Sequence, residues 1–268
     1  MKLLTESPGW PDSWRLSNHY DRLEISGAEP RTGYEYAYRA RRSRTLEVLQ
    51  RFVPPGSRVL DVAAAQGNFT LALAERGYEV TWNDFRGDLV DYVKAKYERG
   101  TVRYAPGNAL EMTFPRPFDA VLIGEVIEHV AHPDQFLKKI AEFVRPGGII
   151  VMTTPNGGYV RNPLPRFSEC ENPEQYEALQ FRPDADGHIF LLHDDEIVSI
   201  ASAAGLELRD ISHHANILTS GHMKLNALLK VIPTRLIEAL EALTTRLPSV
   251  AVRKVHAGTV AVLQKRSP

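Results

Sequence analysis

The chain has 268 residues, 43% of them hydrophobic, with 32 Lys and Arg against 33 Asp and Glu. That length supports one large α/β core with elaborations, and a net charge of −1 gives no global attraction to nucleic acid or an anionic membrane. A single cysteine, Cys170, excludes an intrachain disulfide and fits a reducing compartment. No apolar leader core follows Met1, and no run nears the roughly 20 apolar residues of a membrane span, so a cytoplasmic protein with no transmembrane segment is expected.

In chain order, residues 1–29 are rich in Pro, Trp, Ser and charge and read as an irregular arm, with the main domain taken as 34–268. Tyr34 to Phe52 reads as a helix with Tyr38, Leu46 and Leu49 on one side, ended by Pro54-Pro55-Gly56. Val59 to Val62 is a short buried strand, Phe69 to Arg76 a helix packed back on the sheet, and Gly77 to Trp82 a second strand. A helix over Asp88 to Tyr97 and a strand at Val102 to Tyr104 follow. Phe118 to Ile123 and Gly148 to Thr153 suit central parallel strands, with a helix over Pro133 to Val144 between them. Insertions are expected at 155–193 and 214–257. Between the two insertions lie a helix (Asp194 to Ala204) and a strand (Leu206 to Ile211). The second insertion holds two amphipathic helices parted at Pro233, and a last strand runs from Thr259 to Gln264. Alternating strands and helices of this kind give a Rossmann-like, doubly wound α/β sheet with a helical lid.

The turn Ala63-Ala64-Ala65-Gln66-Gly67-Asn68 carries the most chemistry. A strand, a turn of small residues and a helix bring backbone N–H groups and a helix N-terminus close to a ligand. Asp84, at the end of the second strand, is placed to accept hydrogen bonds from a ribose diol. One glycine is too few for a dinucleotide fingerprint, and Asp61 would repel a pyrophosphate, which disfavours a nicotinamide oxidoreductase. Asp61 suits a cationic or ammonium-bearing ligand. Ala63 and Ala65 must either keep negative φ or take strain.

From about Arg58 to Asn156 the sequence resembles the class I S-adenosylmethionine-dependent methyltransferases, with Asp61 and Gly67 matching their first motif and Ala63 and Ala65 replacing two of its glycines. The resemblance implies a seven-stranded sheet with an antiparallel final strand, and S-adenosyl-L-methionine as cofactor. It implies donor contacts from Asp61, Ala63, Ala65, Gly67, Asp84, Asn108 and Ala109, and Glu125 is counted with them. Gly107-Asn108-Ala109 stands where the family commonly has Gly-Asp-Ala facing adenine; an ordinary turn is the plainer reading.

Glu125-Val126-Ile127-Glu128-His129-Val130 is similar to the post-strand motif of many small-molecule O-methyltransferases, including the ubiquinone-pathway type. It implies His129 as general base, assisted by Glu128; a helix cap is the alternative. Small-RNA 2′-O-methyltransferases carry E-x-x-E-H plus a distant histidine as a cation site. On that resemblance Glu125, Glu128, His129 and His188 are a less favoured metal set, with His193 competing for the last place. RNA is not favoured as acceptor because the chain lacks a basic stripe, and DNA is not expected. Arg39 or Arg42 is a candidate for the donor carboxylate. Asn156 of Thr153-Thr154-Pro155-Asn156 is expected on the acceptor side, or else as a turn residue. Tyr159, Phe167, Tyr176 and Phe181 are expected either to contact acceptor or to pack. The apolar face of the late helices fits core or lid packing first, a homodimer surface second and peripheral membrane attachment third. The expected function is S-adenosylmethionine-dependent methylation of a hydroxyl on a small molecule or glycan. A catalytically silent donor-binding subunit is the reading from another class.

Overall fold

In the computed structural model, which describes residues 1–26, 29–179, 187–223 and 225–267, the sheet is built from β1 (Arg58–Val62), β2 (Glu79–Trp82), β3 (Thr101–Tyr104), β4 (Phe118–Gly124), β5 (Val144–Pro155), β6 (Leu206–Asn216) and β7 (His256–Lys265). The order is β3-β2-β1-β4-β5-β7-β6. Neighbours among β1 to β5 are parallel, and β7 runs antiparallel between β5 and β6. The central strands are apolar on both faces because helices cover both. Leu60, Val121, Ile123 and Ile150 pack against Leu137 and Ile140 of α5 (Pro133–Phe143) and Ile197 of α6 (Asp194–Ala203). Val59, Leu122 and Val151 pack with Leu46 and Leu49 of α2 (Gly33–Phe52) and Leu73 of α3 (Asn68–Ala74).

The chain leaves β1 toward β2 on one side and later places β4 on the other. This reversal opens a crevice at the carboxyl ends of β1 and β4, where such sheets take their ligands. The register of β1 with both neighbours brings Asp61, the residues after Trp82, and the residues after Gly124 to one rim.

Residues 1–29 are not an irregular arm throughout: Asp12–Glu24 is a helix, α1. Its buried residues are Ser17, Asn18 and Asp21 rather than an apolar stripe, so hydrophobic periodicity could not reveal it. Asp21 meets Lys96, the last residue of α4 (Leu89–Lys96), at 2.7 Å with both side chains fully buried. α2 opens on a capping box, with the Thr32 hydroxyl accepting from Glu35 N–H and the Glu35 carboxylate accepting from Thr32 N–H.

The late insertion forms α7 (Asn226–Leu229), α8 (Thr234–Thr244) and an unforeseen α9 (Ser249–Val255). Its apolar face is divided. Leu229 and Ile237 are buried with Tyr36 of α2, whereas Leu228, Leu236, Leu243 and Leu247 are exposed. β6 and β7 are longer than expected because their ends pair with each other, from Leu206–Lys265 to Asn216–His256. No helix among the described residues is long and apolar enough to cross a membrane.

Candidate active site

The turn after β1 takes the strained option. Ala63 has φ +52° and Ala65 φ +47°, and Gly67 follows at +75°. The left-handed region costs a non-glycine residue roughly 1–2 kcal/mol, so the neighbours must hold this turn in place. They do so at four successive points. Ala64 N–H donates to Asn83 O at 2.8 Å, Ala65 N–H to Asp84 Oδ2 at 2.8 Å, Trp82 Nε1–H to Ala65 O at 3.0 Å, and Lys96 Nζ to Gln66 O at 2.9 Å. From α1, the Glu24 carboxylate accepts from Gln66 Nε2 at 3.2 Å and Asn68 Nδ2 at 2.9 Å. The alanines are therefore held at positive φ, which glycine adopts without strain. Replacing both by glycine should raise stability in urea unfolding by about 1 kcal/mol, because relief of strain exceeds the chain entropy that glycine returns. A less stable double variant would show that the turn is unstrained.

Asp61 is buried, accepts from Thr70 Oγ1 at 2.6 Å, and pairs with no cationic side chain among the described residues. Burial pushes its pKa up to about 7. A carboxyl in this condition fits a cationic ligand, which would supply the missing counter-charge. Below pH 7 the free protein holds a proton on Asp61 that a bound cation must expel; above pH 7 the carboxylate is already formed. Affinity for S-adenosylhomocysteine, which keeps the ammonium group, should therefore fall by up to about tenfold per pH unit below 7 and level off above it. Calorimetry at several pH values checks this, and Asp61→Asn should flatten the profile.

Asp84 is buried at the tip of β2, where Oδ1 accepts from Arg86 N–H at 2.9 Å and from its guanidinium at 3.1 Å. Oδ2 accepts from Ala65 N–H at 2.8 Å and from the Arg86 guanidinium at 3.4 Å, so the carboxylate braces the turn and a diol would take the place of Arg86 on it. Asn108 uses its side chain locally, Oδ1 accepting from Leu110 N–H at 3.1 Å and Nδ2 donating to Glu111 Oε1 at 2.9 Å. This is the plainer turn reading. The Ala109 side chain is buried in the core. Asn83 belongs to no motif, yet its Nδ2 ties β2 to Ala105 O and Gly107 O after β3.

After β4 the motif splits. Glu125 stands alone at φ +54°, held by Thr153 Oγ1 at 2.7 Å and Arg41 at 3.1 Å. Ile127–His129 is a single 3₁₀ turn, and it gathers Glu128 and His129 with His188 so that one ligand atom from each lies within 4.8 Å of the others. The proposed four-residue metal set is thereby corrected: Glu125 precedes the turn and its carboxylate points to Arg41. His193 is not among the residues gathered there; it is the N-cap residue of α6, its backbone N–H donating to Glu196 Oε2 at 2.9 Å.

Within the cluster, Glu128 Oε2 accepts from Thr154 Oγ1 at 3.0 Å, while Glu128 Oε1 and His129 Nδ1 are buried without a hydrogen-bond partner among the described residues. His188 Nε2 lies 4.0 Å from Glu128 Oε1, and its ring centroid 4.7 Å from that of His129. Burial, reinforced by the Glu125 charge, raises the Glu128 carboxyl well above the usual range. A positive charge arriving here, as a proton on an imidazole or as a metal ion, would draw it back to carboxylate.

A cavity of about 560 Å³ adjoins the cluster, with Glu125, His188, Arg41, Tyr34, Tyr38 and Tyr159 in its wall. His188 rather than His129 is the imidazole of the cluster that lines it. Of the basic run from Arg39 to Arg44, Arg41 lines it, as does Arg161 farther along the chain, whereas Arg39 is paired with Glu238 at 3.0 Å and Arg42 does not line this cavity. Asn156 touches the cavity but has its side chain fully engaged, with Arg253 O, His256 O and Gly158 N–H, as a turn residue. Of the four aromatics, Tyr159 lines the cavity, Phe167 packs on Phe190, Tyr176 is exposed, and Phe181 lies outside the described residues, as does Lys224 of the late insertion.

Residues 34–211 match the family model of a methyltransferase domain. The chain is 28% identical over 169 residues to the ubiquinone biosynthesis O-methyltransferase of Xanthomonas campestris pv. campestris, covering 62% of this chain and 69% of that protein. Its fold is similar to that of the 4+2 cyclase SpnF (TM-score 0.57, 19% identity, 99% of this chain and 100% of that one). It is also similar to N-methyltransferase NodS from Bradyrhizobium japonicum WM9 in complex with S-adenosylhomocysteine (TM-score 0.53, 12% identity, 95% and 99%). With the domain match spanning both the braced turn after β1 and the rim after β4, the chain belongs to the class I S-adenosylmethionine-dependent methyltransferases.

Proposed function

We propose that the enzyme methylates a hydroxyl group of a small molecule or glycan bound in the 560 Å³ cavity. The observation that carries this reading is the cluster of Glu128, His129 and His188, with two unpartnered buried atoms beside an imidazole that lines the cavity. Bound S-adenosylmethionine supplies a methyl group activated by its sulfonium. Asp84 and the turn from Ala63 to Gly67 would hold the donor, with Asp61 balancing its positive charge. The paired imidazoles would take the hydroxyl proton as the oxygen attacks the methyl carbon, and Glu128 would steady the resulting imidazolium. Alignment of oxygen, methyl carbon and sulfur supplies the rest of the acceleration. The positive-φ turn supports donor binding despite the lost glycines, a property the silent-subunit reading shares, and transfer of label to any acceptor separates the two.

The O-methyltransferase relative supports oxygen as the atom methylated, but the fold is equally at home in a cyclase and an N-methyltransferase, so the site must be tested directly. With methyl-tritiated donor, label should pass to catechol and not to o-phenylenediamine, its amine counterpart. Equal or preferred labelling of the amine would overturn the hydroxyl reading.

The same cluster favours a second reading, a divalent cation held by Glu128, His129 and His188. A carboxylate with two imidazoles suits Mn²⁺, Fe²⁺ or Zn²⁺, and such an ion would acidify the acceptor hydroxyl and fix its position. Elemental analysis of purified protein, with turnover before and after dialysis against a chelator, separates the two.

A further inference from the structure

The second half of the cavity wall holds an imidazole that neither the donor nor the proton transfer uses. His214 is 5% exposed, and neither of its ring nitrogens has a hydrogen-bond partner among the described residues. Its neighbours differ. His213 Nε2 meets Asp194 Oδ1 at 3.1 Å, and His256 meets Val252 O at 3.0 Å and Thr244 Oγ1 at 3.1 Å. Buried polar groups are normally paired, and an unpaired one asks for an explanation. His214 lines both the 560 Å³ cavity and a second of about 960 Å³ between α2 and the α8–α9 insertion. Burial, aided by the nearby Arg41 charge, pushes its pKa down to about 3. The ring is therefore neutral and presents one N–H donor and one nitrogen acceptor.

Three features fix the ring in this position. Ala215, the next residue, sits at φ +63°. The Glu241 carboxylate of α8 clamps it, accepting from Ala215 N–H at 2.6 Å, Asn216 N–H at 2.9 Å and Asn216 Nδ2 at 2.8 Å. Across the sheet, Gly258 is the register partner of His214, and a Cβ there would lie 2.2 Å from the ring. A strained residue, a half-buried clamp and a bare stretch of backbone thus combine to place this imidazole.

We propose that His214 is an acceptor-recognition residue, whose neutral imidazole hydrogen-bonds an uncharged polar group, a hydroxyl or carbonyl, that the acceptor carries in addition to the hydroxyl it has methylated. This rests on the 560 Å³ cavity being the acceptor site.

The test uses the full chain as wild type, His214→Met and His214→Gln. Because methionine removes the unpaired polar group at similar volume, the ligand-free Met variant should melt about 2–4 °C higher. Calorimetry should give unchanged affinity for S-adenosylhomocysteine in all three. With histidine ring nitrogens labelled by ¹⁵N, catechol should shift the His214 resonances of wild type. Its dissociation constant should weaken about tenfold in the Met variant and less in the Gln variant, the loss of about one hydrogen bond. A lower melting temperature for His214→Met would make the imidazole structural and overturn the proposal. So would catechol shifting His129 and His188 but not His214. If catechol shifts none of the three while S-adenosylhomocysteine still binds, the acceptor-cavity reading fails and the proposal falls with it.

Discussion

Replacing His129 with alanine is expected to lower methyl transfer by about 10²- to 10⁴-fold while donor affinity stays nearly intact. The imidazole stands next to His188, its Nδ1 buried and, like Glu128 Oε1, without a hydrogen-bond partner among the described residues. Since His188 is the ring that lines the cavity, His188→Ala should cost a comparable factor, and the double variant little more than either single one. Groups that act as one unit are strongly non-additive. Additive losses would separate the two rings into independent roles. Loss of a bound cation from His129→Ala, mimicked in wild type by chelator, would convert the base into a ligand. Unchanged turnover with a stability loss of about 1 kcal/mol would leave His129 a turn residue only.

Lys96→Met should cost about 3–5 kcal/mol in stability, because it strands the Asp21 carboxylate without a counter-charge in the interior. Lys96 Nζ lies 2.7 Å from Asp21 Oδ2, 2.6 Å from Asn68 Oδ1 and 2.9 Å from Gln66 O, and Tyr92 donates to the same Asp21 oxygen at 2.7 Å. The variant also removes a brace from the donor turn, so affinity for S-adenosylhomocysteine should fall with stability. Removing both charges, as Lys96→Met with Asp21→Leu, should recover much of the unfolding free energy in urea but not the donor affinity. A double variant as unstable as the single one would locate the cost in lost packing instead.

The rim of the sheet was readable because its causes are local. Leu60, Val121 and Ile150 sit in short apolar runs, and the small residues from Ala63 to Gly67 admit only a tight turn. Asp61 and Asp84 were legible from their places at strand ends. What escaped notice depends on partners distant in the chain. α1 buries Asp21 against Lys96, a contact that no periodicity encodes. Arg41 rather than Arg39 or Arg42 faces the cavity because Glu238, far along the chain, takes Arg39. Glu125 left the expected quartet because one backbone angle turned positive before the 3₁₀ turn. His214 gave no signal at all, since its neighbours Glu241 and Gly258 arrive only with the last helices and strand. Motif spacing reports the strand ends, and tertiary pairing decides which side chains reach the ligand.

The carboxylate of Glu24, resting on Gln66 and Asn68, makes the end of α1 a latch on the donor turn. A ligand that fixes the turn must also favour the docked state of α1, in proportion to how much more tightly it binds when the latch is shut. Donor product would then leave at a rate limited by local opening of this helix rather than by its own contacts alone. Saturating S-adenosylhomocysteine should accordingly slow deuterium uptake at α1 amides around Asp21 to Glu24. Uptake there that ignores the ligand would mean that product departs without α1 ever letting go.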